Sequence, residues 1–427
     1  MENSVETSFE LHNLQEWFHV YDLQTKSIYL LAFFLVLAML AIIFSKKYNL
    51  PIVVGYVLFG IVISPDILNL IPFLESEFHS WYEFLIIKMD YITQIALAFI
   101  VFTIGSELSL RTFKRLGKSI YIITIFEALG AALISALAVY LIGAPIYMSL
   151  ILGAIAAASA PASTIMVLKE YNAEGPLSST LMAVVGLDNT LALILFALIS
   201  PVAMMFIGTG GTLSFQILLT PVIEISAAIL IGLAVGYLTQ YYISRVEDKT
   251  KKVVSLLTSV VLSSALSLAF GLSSLIANLA LGFAIRNFAE KNLEISEYLD
   301  TLTIPLYAMF FIFAGVEIRF SEMGSAVFLI TALVFLISRI IGKYGGAVLA
   351  GRFSDADPVV KKYIGLGLFP QGGVAIALAF SVQRQFTQIP DTSLMILNMV
   401  ILTAALTEIF GPLFTKEAVI RSGEAEE

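Results

Sequence analysis

The chain of 427 residues contains no cysteine, only three histidines and two tryptophans, and few charged side chains. The lack of cysteine excludes disulfides, thiol nucleophiles and thiolate metal sites. Charged residues make up 13% of the sequence and hydrophobic residues 59%, and the mean hydropathy is +0.92. A water-facing surface needs far more charge than this. The composition therefore excludes a soluble domain and indicates a protein embedded in a membrane.

Apolar stretches recur along the whole sequence, and each is long enough to cross a hydrocarbon core roughly 30 Å thick as a helix. Strands of a membrane barrel would be half as long and would alternate polar with apolar residues. The pattern predicts an all-α polytopic membrane protein with about thirteen transmembrane helices. The predicted spans are 27–44, 51–71, 91–106, 119–142, 146–168, 181–207, 215–243, 253–270, 272–285, 299–318, 326–350, 359–382 and 393–413.

Basic residues are concentrated on one side of these spans. Eighteen lysines and arginines fall on the side of the C-terminus and four on the other side, while Arg339 and Lys343 fall within a span. Because cytoplasmic loops are enriched in Lys and Arg, this distribution predicts an N-terminus outside and a C-terminus in the cytoplasm. Residues 1–26 carry five acidic groups and lack a basic segment before an apolar core, so they are predicted as an extracytoplasmic segment rather than a signal peptide.

The sixth span carries Asp188 and Asn189 side by side near its middle. A carboxylate at bilayer depth costs about 3 kcal/mol even on lenient insertion scales, and such a group typically marks an ion or proton pathway. The competing interpretation is a structural carboxylate that an arginine on a neighbouring helix neutralises. We predict that Asp188 is the central group of an ion or proton site.

Two spans contain a proline well inside the apolar stretch, Pro161 in the fifth span and Pro370 in the twelfth. Proline lacks an N–H and clashes one turn back, so the carbonyls of Ala157 and Leu366 lose their helical partners. A lone proline in a membrane helix is usually a harmless kink, but small residues flank both of these. Paired interruptions in two halves of a chain are typical of transporter binding sites. The residues predicted at the two breaks are Ala160, Pro161, Phe369, Pro370 and Gln371.

The spacing around the two prolines predicts an internal repeat. Asn189 follows Pro161 by 28 residues, and Asn398 follows Pro370 by 28. The broken spans are the fifth and the twelfth, which lie seven apart, so the two halves enter the membrane in opposite directions. We predict an inverted repeat of six-helix units, made of spans 2–7 and 8–13, with span 1 as an extra helix.

The eleventh span carries both basic residues that lie at membrane depth. Arg339 is too far from either end to reach water comfortably, so we expect it to face the interior and to pair with Asp188. Lys343, one turn later, is predicted either to be a further charge partner of the site or to extend partly toward the inner surface.

Three glutamates also lie within the spans. Glu127 is either a second carboxylate of the site or a glutamate hydrogen-bonded between helices. Glu224 and Glu408 are predicted to serve packing or the interface.

Five motifs occur within the predicted spans: SAP in the fifth span, LDN in the sixth, FFIFAGVEI at the end of the tenth, SRIIGK in the eleventh and FPQGGVAIA in the twelfth. The set resembles the monovalent cation:proton antiporters, a superfamily that contains bacterial sodium/proton antiporters and potassium-efflux transporters. The resemblance covers essentially the whole chain. It implies the sodium/proton antiporter fold, an inverted repeat of six-helix units with two crossed discontinuous helices, in which a core domain moves like an elevator against a dimerisation domain.

The resemblance also implies a division of the chain. A dimerisation (scaffold) domain is expected at 27–107 and 251–320, a core (transport) domain at 111–207 and 324–416, a linker helix at 215–244 and a cytoplasmic tail at 417–427. A homodimer in the plasma membrane (the inner membrane of a bacterium) is expected, acting in pH homeostasis. We expect no enzymatic activity, no cofactor and no nucleic-acid partner.

Members of the superfamily carry two acidic or amide residues where Asp188 and Asn189 stand, and the second position usually carries the transported ion or proton. Asn189 departs from this pattern, because an amide can coordinate a cation but cannot release a proton near neutral pH. The basic residue of the eleventh span in the superfamily matches Arg339. Where relatives have Thr-Asp-Pro, this chain has Ser159, Ala160 and Pro161.

A dehydrated Na⁺ or K⁺ needs several hard oxygen ligands, of which at least one is preferably anionic. We expect Asp188, Asn189 and Ser159 to bind the cation, with Glu127 as the second carboxylate if it belongs to the site. Competition between cation and proton for Asp188, combined with alternating exposure, predicts exchange of Na⁺ or K⁺ for H⁺. A single titratable carboxylate predicts one-for-one, electroneutral exchange unless Glu127 also titrates.

Other function classes stay open at this stage. A cation channel or uniporter, or a transport-impaired variant, is an alternative because Asn189 stands in place of a second aspartate. A membrane sensor or scaffold that transports nothing is a further alternative.

Overall fold

The computed structural model describes residues 23–48, 50, 52–69, 82, 90–110, 117–208, 215–288 and 295–425. Most of the predicted extracytoplasmic segment 1–26 lies outside this part, and so do residues 111–116 at the start of the predicted core domain. Within the described residues, all regular structure is helical.

The helices that precede residue 210 form the first half of the protein. They are α1 (Leu23–Lys47), α2 (Ile52–Val62), α3 (Pro65–Leu68), α4 (Asp90–Glu107), α5 (Lys118–Leu141), α6 (Ile146–Ala156), α7 (Pro161–Glu170) and α8 (Pro176–Gly208).

The second half begins with a long helix and contains a short 3₁₀ segment. Its elements are α9 (Phe215–Ile243), α10 (Lys249–Ala269), α11 (Ser274–Phe288), α12 (Ile295–Val316), α13 (Phe320–Met323), α14 (Ala326–Phe353), α15 (Pro358–Tyr363), the 3₁₀ helix Ile364–Leu368, α16 (Gly373–Gln385) and α17 (Pro390–Ser422).

The prediction of a multi-pass helical membrane protein is confirmed. Among the described residues, seven helical stretches are long and apolar enough to cross a membrane, and the bent stretch from α15 to α16 makes an eighth. Four shorter apolar helices lie in α2, α4, α11 and α12. Each predicted span falls on one of the described helices or on a consecutive pair of them.

Several helices begin at a proline, which fits there because the first residue of a helix donates no intrahelical hydrogen bond. Pro161 begins α7, Pro176 begins α8 and Pro358 begins α15. Pro161 therefore ends one helical segment of the fifth span and starts the next. Pro370 has a different place, in the unwound segment between the 3₁₀ helix and α16.

The two interruptions cross each other, as the resemblance implied. The backbone N–H of Ala160 donates to the carbonyl oxygen of Pro370 at 2.9 Å. The hydroxyl of Thr164 donates to the carbonyl oxygen of Gly367 at 3.0 Å. The stretch from α15 to α16 bends by 48° at its break. Backbone groups that a continuous helix would use internally are thus shared between the two broken spans.

Helices α5 and α14 form the most extensive helix–helix contact in the described part of the chain, and glycines make this contact possible. A Cβ on Gly130 of α5 would lie 2.6 Å from the carbonyl oxygen of Gly342 on α14. A Cβ on Gly346 would lie 2.7 Å from Cα of Glu127. Small residues let membrane helices approach to backbone contact. This approach brings Glu127 next to the basic residues of α14.

The packing corrects the predicted boundaries of the repeat. Helix α4 packs on α11, and α2 packs on α12, with the glycine pairs Gly105–Gly282 and Gly60–Gly315 at the two contacts. The four helices are the second (α2), third (α4), ninth (α11) and tenth (α12) spans. If each span corresponds to the span seven later, as the two broken spans do, then α2 corresponds to α11 and α4 to α12, and the two contacts are equivalent. Six-helix units that lie seven spans apart leave one helix between them. The units are therefore α1–α8 and α10–α17 with α9 between, and the predicted grouping of spans 2–7 with an extra span 1 is wrong.

Candidate functional site

Lys343 of α14 lies at the centre of a buried cluster of oxygen atoms. Its Nζ lies 2.7 Å from Oε2 of Glu127 and 3.0 Å from Oδ2 of Asp188. It also lies 2.7 Å from Oγ of Ser159 and 2.6 Å from the carbonyl oxygen of Ala157. The three charged side chains have no exposed surface. An ammonium carries three N–H donors, so the four surrounding oxygens exceed what it can satisfy.

Arg339, one turn earlier on α14, binds the interrupted backbones. Its NH1 donates to the carbonyl oxygen of Phe369 at 2.7 Å, and its NH2 donates to the carbonyl oxygen of Ala158 at 2.8 Å. A longer bond of 3.4 Å joins NH2 to the carbonyl oxygen of Pro370. The planar guanidinium presents several donors in a fixed fork. It therefore satisfies carbonyls that the breaks leave without helical partners, on both broken spans at once.

The predicted ion pair between Arg339 and Asp188 is wrong, because Lys343 forms the pair with Asp188 instead. The expectation that Lys343 extends partly toward the inner surface is also wrong, since its side chain is fully buried. The reason is the position of α14 along its axis relative to the point where the two interruptions meet. The carboxylates lie one turn beyond the broken carbonyls, so the fork of Arg339 reaches the carbonyls and the single Nζ of Lys343 reaches the carboxylates.

Asn189 holds the first interruption in place. Its Oδ1 accepts the backbone N–H of Ser159 at 3.2 Å, and the residue is 5% exposed. The structure thus brings together all four predicted ligand residues, with Asp188 and Glu127 on Lys343 and with Asn189 and Ser159 joined to each other. Glu127 lies in this cluster, where it pairs with Lys343 across the contact between α5 and α14.

Three oxygen atoms of the cluster accept no hydrogen bond: Oδ1 of Asp188 and both carboxylate oxygens of Glu127, of which Oε2 forms the ion pair with Lys343. A buried acceptor without a donor costs free energy, and a buried anionic one costs more. Either a proton or a cation would satisfy such an oxygen. The cluster therefore has the chemistry to bind both.

Gln371 fixes the second interruption to its surroundings. Its backbone N–H donates to Oγ1 of Thr407 at 3.1 Å, and its Nε2 donates to the carbonyl oxygen of Ile155 at 3.4 Å. The hydroxyl of Thr403 donates to its Oε1 at 3.4 Å. These contacts tie the segment before α16 to α17 and to the end of α6.

Glu408 of α17 is a buried carboxylate that the sequence interpretation assigned to packing or the interface. It is 5% exposed and accepts a hydrogen bond from Oγ of Ser163 on α7. The signal that singled out Asp188, an acid in the middle of an apolar span, also applied to Glu408. Glu224, by contrast, is an exposed residue of α9 and lies outside the cluster.

Two interrupted helices that meet around buried charged side chains define a site of the secondary-transporter class. Residues 34–420 match the family of sodium/hydrogen exchangers in its transmembrane region. This match covers most of the chain, so the chain belongs to the sodium/hydrogen exchanger family. The predicted membership of the monovalent cation:proton antiporter superfamily is confirmed, and the protein is a transporter rather than an enzyme.

Curated relatives and a solved structure agree with this membership. The chain is 23% identical over 374 residues to the Na⁺/H⁺-K⁺ antiporter GerN of Bacillus cereus, which covers 85% of the chain and 89% of GerN. It is 24% identical over 348 residues to a Na⁺/H⁺ antiporter of Enterococcus hirae, covering 78% and 84%. The sodium proton antiporter MjNhaP1 of Methanocaldococcus jannaschii shares the fold, with a TM-score of 0.73, 20% identity and coverage of 94% and 99%.

Proposed function

We propose that the chain exchanges a monovalent cation, Na⁺ or K⁺, for protons across the membrane. The observation that carries this proposal is the environment of the Lys343 ammonium, a monovalent cation with four oxygen neighbours at 2.6 to 3.0 Å. The same set of oxygens suits a dehydrated alkali cation, which prefers hard oxygen ligands. The printed names of GerN and of the Enterococcus hirae protein, which mention Na⁺ and, for GerN, K⁺, support this choice of ions.

In this proposal the transported cation takes the position of the Lys343 ammonium. Asp188 supplies the anionic oxygen, the Ser159 hydroxyl supplies a neutral one, and Glu127 supplies a second carboxylate. Asn189 adds its amide oxygen, which has two lone pairs, one of which the Ser159 N–H uses. Competition between ammonium, cation and proton for these oxygens couples the binding of one ion to the release of another.

The balance of charge in the site supports one-for-one, electroneutral exchange. Glu127 and Asp188 carry two formal negative charges, and Arg339 and Lys343 carry two positive ones, all fully buried. Adding a cation without releasing a proton leaves one unbalanced buried charge, and the effective penalty for that is several kcal/mol. Loss of one proton for each bound cation restores the balance, and with both carboxylates ionised this is the proton of the Lys343 ammonium, whose position the cation takes. The site then carries the same net charge in both forms.

We further propose that two bodies move against each other. The core comprises 111–207 and 324–416, the scaffold that forms a homodimer comprises 27–107 and 251–320, and 215–244 links them. The packing of α2 on α12 and of α4 on α11 within the scaffold, and of α5 on α14 within the core, supports this division. We propose thirteen membrane crossings, an extracytoplasmic N-terminus and a cytoplasmic tail at 417–427, in the plasma membrane, with a role in pH homeostasis.

Proteoliposomes test this function directly. An imposed Na⁺ or K⁺ gradient is expected to drive proton movement, read from a pH-sensitive dye in the lumen. Asp188→Asn is expected to abolish that movement, whereas Glu224→Gln, which neutralises an acid of α9 outside the cluster, serves as the matched control. If the native chain shows no cation-dependent proton flux at acid, neutral or alkaline pH, the proposal is wrong.

A passive channel or uniporter remains the second candidate, because Asn189 stands where a proton-carrying aspartate is usual. The same vesicles separate the two. A channel moves the cation down its gradient without moving protons, whereas an exchanger couples the two fluxes.

A further inference from the structure

A second buried carboxylate lies at the crossing, away from the Lys343 cluster. Oε2 of Glu408 accepts a hydrogen bond from Oγ of Ser163 near the start of α7. Its Oε1 lies 2.6 Å from the position that a Cβ on Gly372 would occupy, just before α16. The carboxylate therefore contacts the ends of both interruptions. The exchange cycle described above assigns no role to it.

Glu408 also lines a narrow crevice between α2 and the pair α16–α17. The crevice has a volume of about 40 Å³, more than the roughly 10–15 Å³ that a cavity needs to hold one water molecule. Its walls are apolar, with residues such as Val53, Val57 and Ile61 on the side of α2 and Ile376, Ile401 and Ala405 opposite. Glu408 is the one ionisable residue among those lining it in the described part of the chain.

The position of this crevice gives the carboxylate its significance. Helix α2 belongs to the proposed scaffold, and α16 and α17 belong to the proposed core. Any sliding of the core along the scaffold at this contact carries Glu408 past the apolar face of α2. An ionised carboxylate in apolar surroundings is far more costly than a neutral one. The protonated form can make this passage at much lower cost.

Two groups of the proposed core stabilise the ionised form of Glu408. The Ser163 hydroxyl donates to it, and Arg339 of α14 is the charged group near enough to attract it. Helices α2, α7 and α16 contribute no charged side chain that acts on it in the described residues. Ser163 and Arg339 belong to the proposed core, as Glu408 does, and move with it. Sliding therefore exchanges only the neighbours on the side of α2, where an ionised carboxylate faces apolar side chains.

We propose that Glu408 is a second proton-binding carboxylate whose protonation permits the core to move along α2. The inference rests on the proposed exchange function. Under it, the ions that bind at Asp188 set the apparent affinity for the cation, and the state of Glu408 sets the maximal rate. Deprotonation of Glu408 at alkaline pH locks the core in place. One ionising group can lower the maximal rate by up to about tenfold per pH unit on that side.

The test compares pH profiles of the maximal rate in proteoliposomes. Glu408→Gln is permanently neutral and is expected to flatten the alkaline fall in maximal rate while leaving the KM for the cation unchanged. Glu408→Asp keeps an ionisable group and is expected to keep the fall. The matched control is Glu417→Gln, the same change on the same helix at an exposed residue that pairs with Arg421, and its profile should equal the native one.

Ser163→Ala gives a second route to the same answer. Without the hydroxyl donor the ionised form of Glu408 is less stable. The fall of the maximal rate at alkaline pH should therefore move to higher pH. If Glu408→Gln fails to fold, the pH profile of the maximal rate of Ser163→Ala tests the role of Glu408 instead.

The outcomes separate this inference from the proposed function. A native chain without cation-driven proton flux overturns the function. A native chain that exchanges ions, with Glu408→Gln and Ser163→Ala profiles that overlay the native profile, overturns the role of Glu408 and leaves the function intact. A changed KM with an unchanged profile also overturns it, because that result assigns Glu408 to ion binding instead.

Discussion

The side-chain oxygen of Asn189 accepts the backbone N–H of Ser159 at 3.2 Å, so the amide next to Asp188 holds the first interruption together. Where a helix is interrupted, N–H groups lose their intrahelical partners, and burial makes each unsatisfied group costly. An amide meets this need without adding charge to a site that already contains Asp188 and Glu127. Asn189 is thus compatible both with the fold and with a neutral cluster.

Asn189→Asp should keep both one-for-one exchange and the fold. An aspartate at this position can accept the same Ser159 N–H, but it adds one negative charge beside Asp188. One further bound proton restores the balance of charge, and a cation that enters the site displaces that proton, so exchange should stay insensitive to an imposed membrane potential. Flux measured with the potential clamped at two values checks this. A variant that becomes sensitive to the potential would show that charge balance does not set the stoichiometry.

Asn189→Ala is the companion variant and isolates the structural role of the amide. It leaves the Ser159 N–H without an acceptor in a buried position, which costs about 1–3 kcal/mol. We expect a lower melting temperature in detergent than for the native protein and for Asn189→Asp. Equal melting temperatures of the three proteins would show that the Ser159 N–H has another acceptor.

Lys343→Met should destabilise the protein, because it leaves Glu127 and Asp188 facing each other without their counterion. Breaking a buried ion pair by removing one partner costs about 3–5 kcal/mol. Adding Glu127→Gln to Lys343→Met removes one of the two carboxylates and should recover much of the loss. The double-mutant cycle, measured by thermal unfolding, would contradict the cluster geometry if the two changes were simply additive.

Gly346→Ala should impair transport by separating α5 from α14. A Cβ at this position would lie 2.7 Å from Cα of Glu127, so the helices must shift, and overpacking of this kind costs about 1–3 kcal/mol. The shift moves Glu127 relative to Lys343. Gly345→Ala is a matched control, because a Cβ there meets no atom within 4 Å. Equal transport rates for the two variants would show that the close contact does not position the site.

The C-terminal tail should stabilise the start of α8, the helix that carries Asp188. The carboxylate of Glu424 accepts hydrogen bonds from the backbone N–H of Leu177 at 2.7 Å and of Ser178 at 2.8 Å, and from the Ser178 hydroxyl at 2.7 Å. Loss of a helix N-cap costs about 0.5–2 kcal/mol. Glu424→Ala should therefore accelerate amide hydrogen exchange of the peptide that contains Leu177 and Ser178.

Glu417→Ala is the control for this prediction, because it removes an exposed carboxylate of the preceding helix α17 and should leave that exchange unchanged. The capping role would be contradicted if Glu424→Ala exchanged at the native rate, or if both variants accelerated exchange equally.

The sequence by itself determined the membrane class, the helical stretches, the two interruptions and the residues that form the cluster. These features depend on local properties: the length of apolar runs, the missing N–H of Pro161 and Pro370, and the cost of Asp188 at membrane depth. The five sequence motifs indicated the family. The spacing of seven spans between the two broken helices already indicated the repeat that the packing favours. The predicted units, spans 2–7 and 8–13, nevertheless placed the first unit one span too late.

Only the tertiary structure decided how the charges are distributed. Arg339 and Lys343 are both basic and lie one turn apart on α14, so nothing local to that helix distinguishes their partners. The glycine contacts with α5 and the crossing of the two breaks set the register that places carbonyls at Arg339 and carboxylates at Lys343. The site at Glu408 likewise exists only because α2, α7, α16 and α17 meet there. Contacts between residues far apart in sequence depend on packing, and no single segment encodes them.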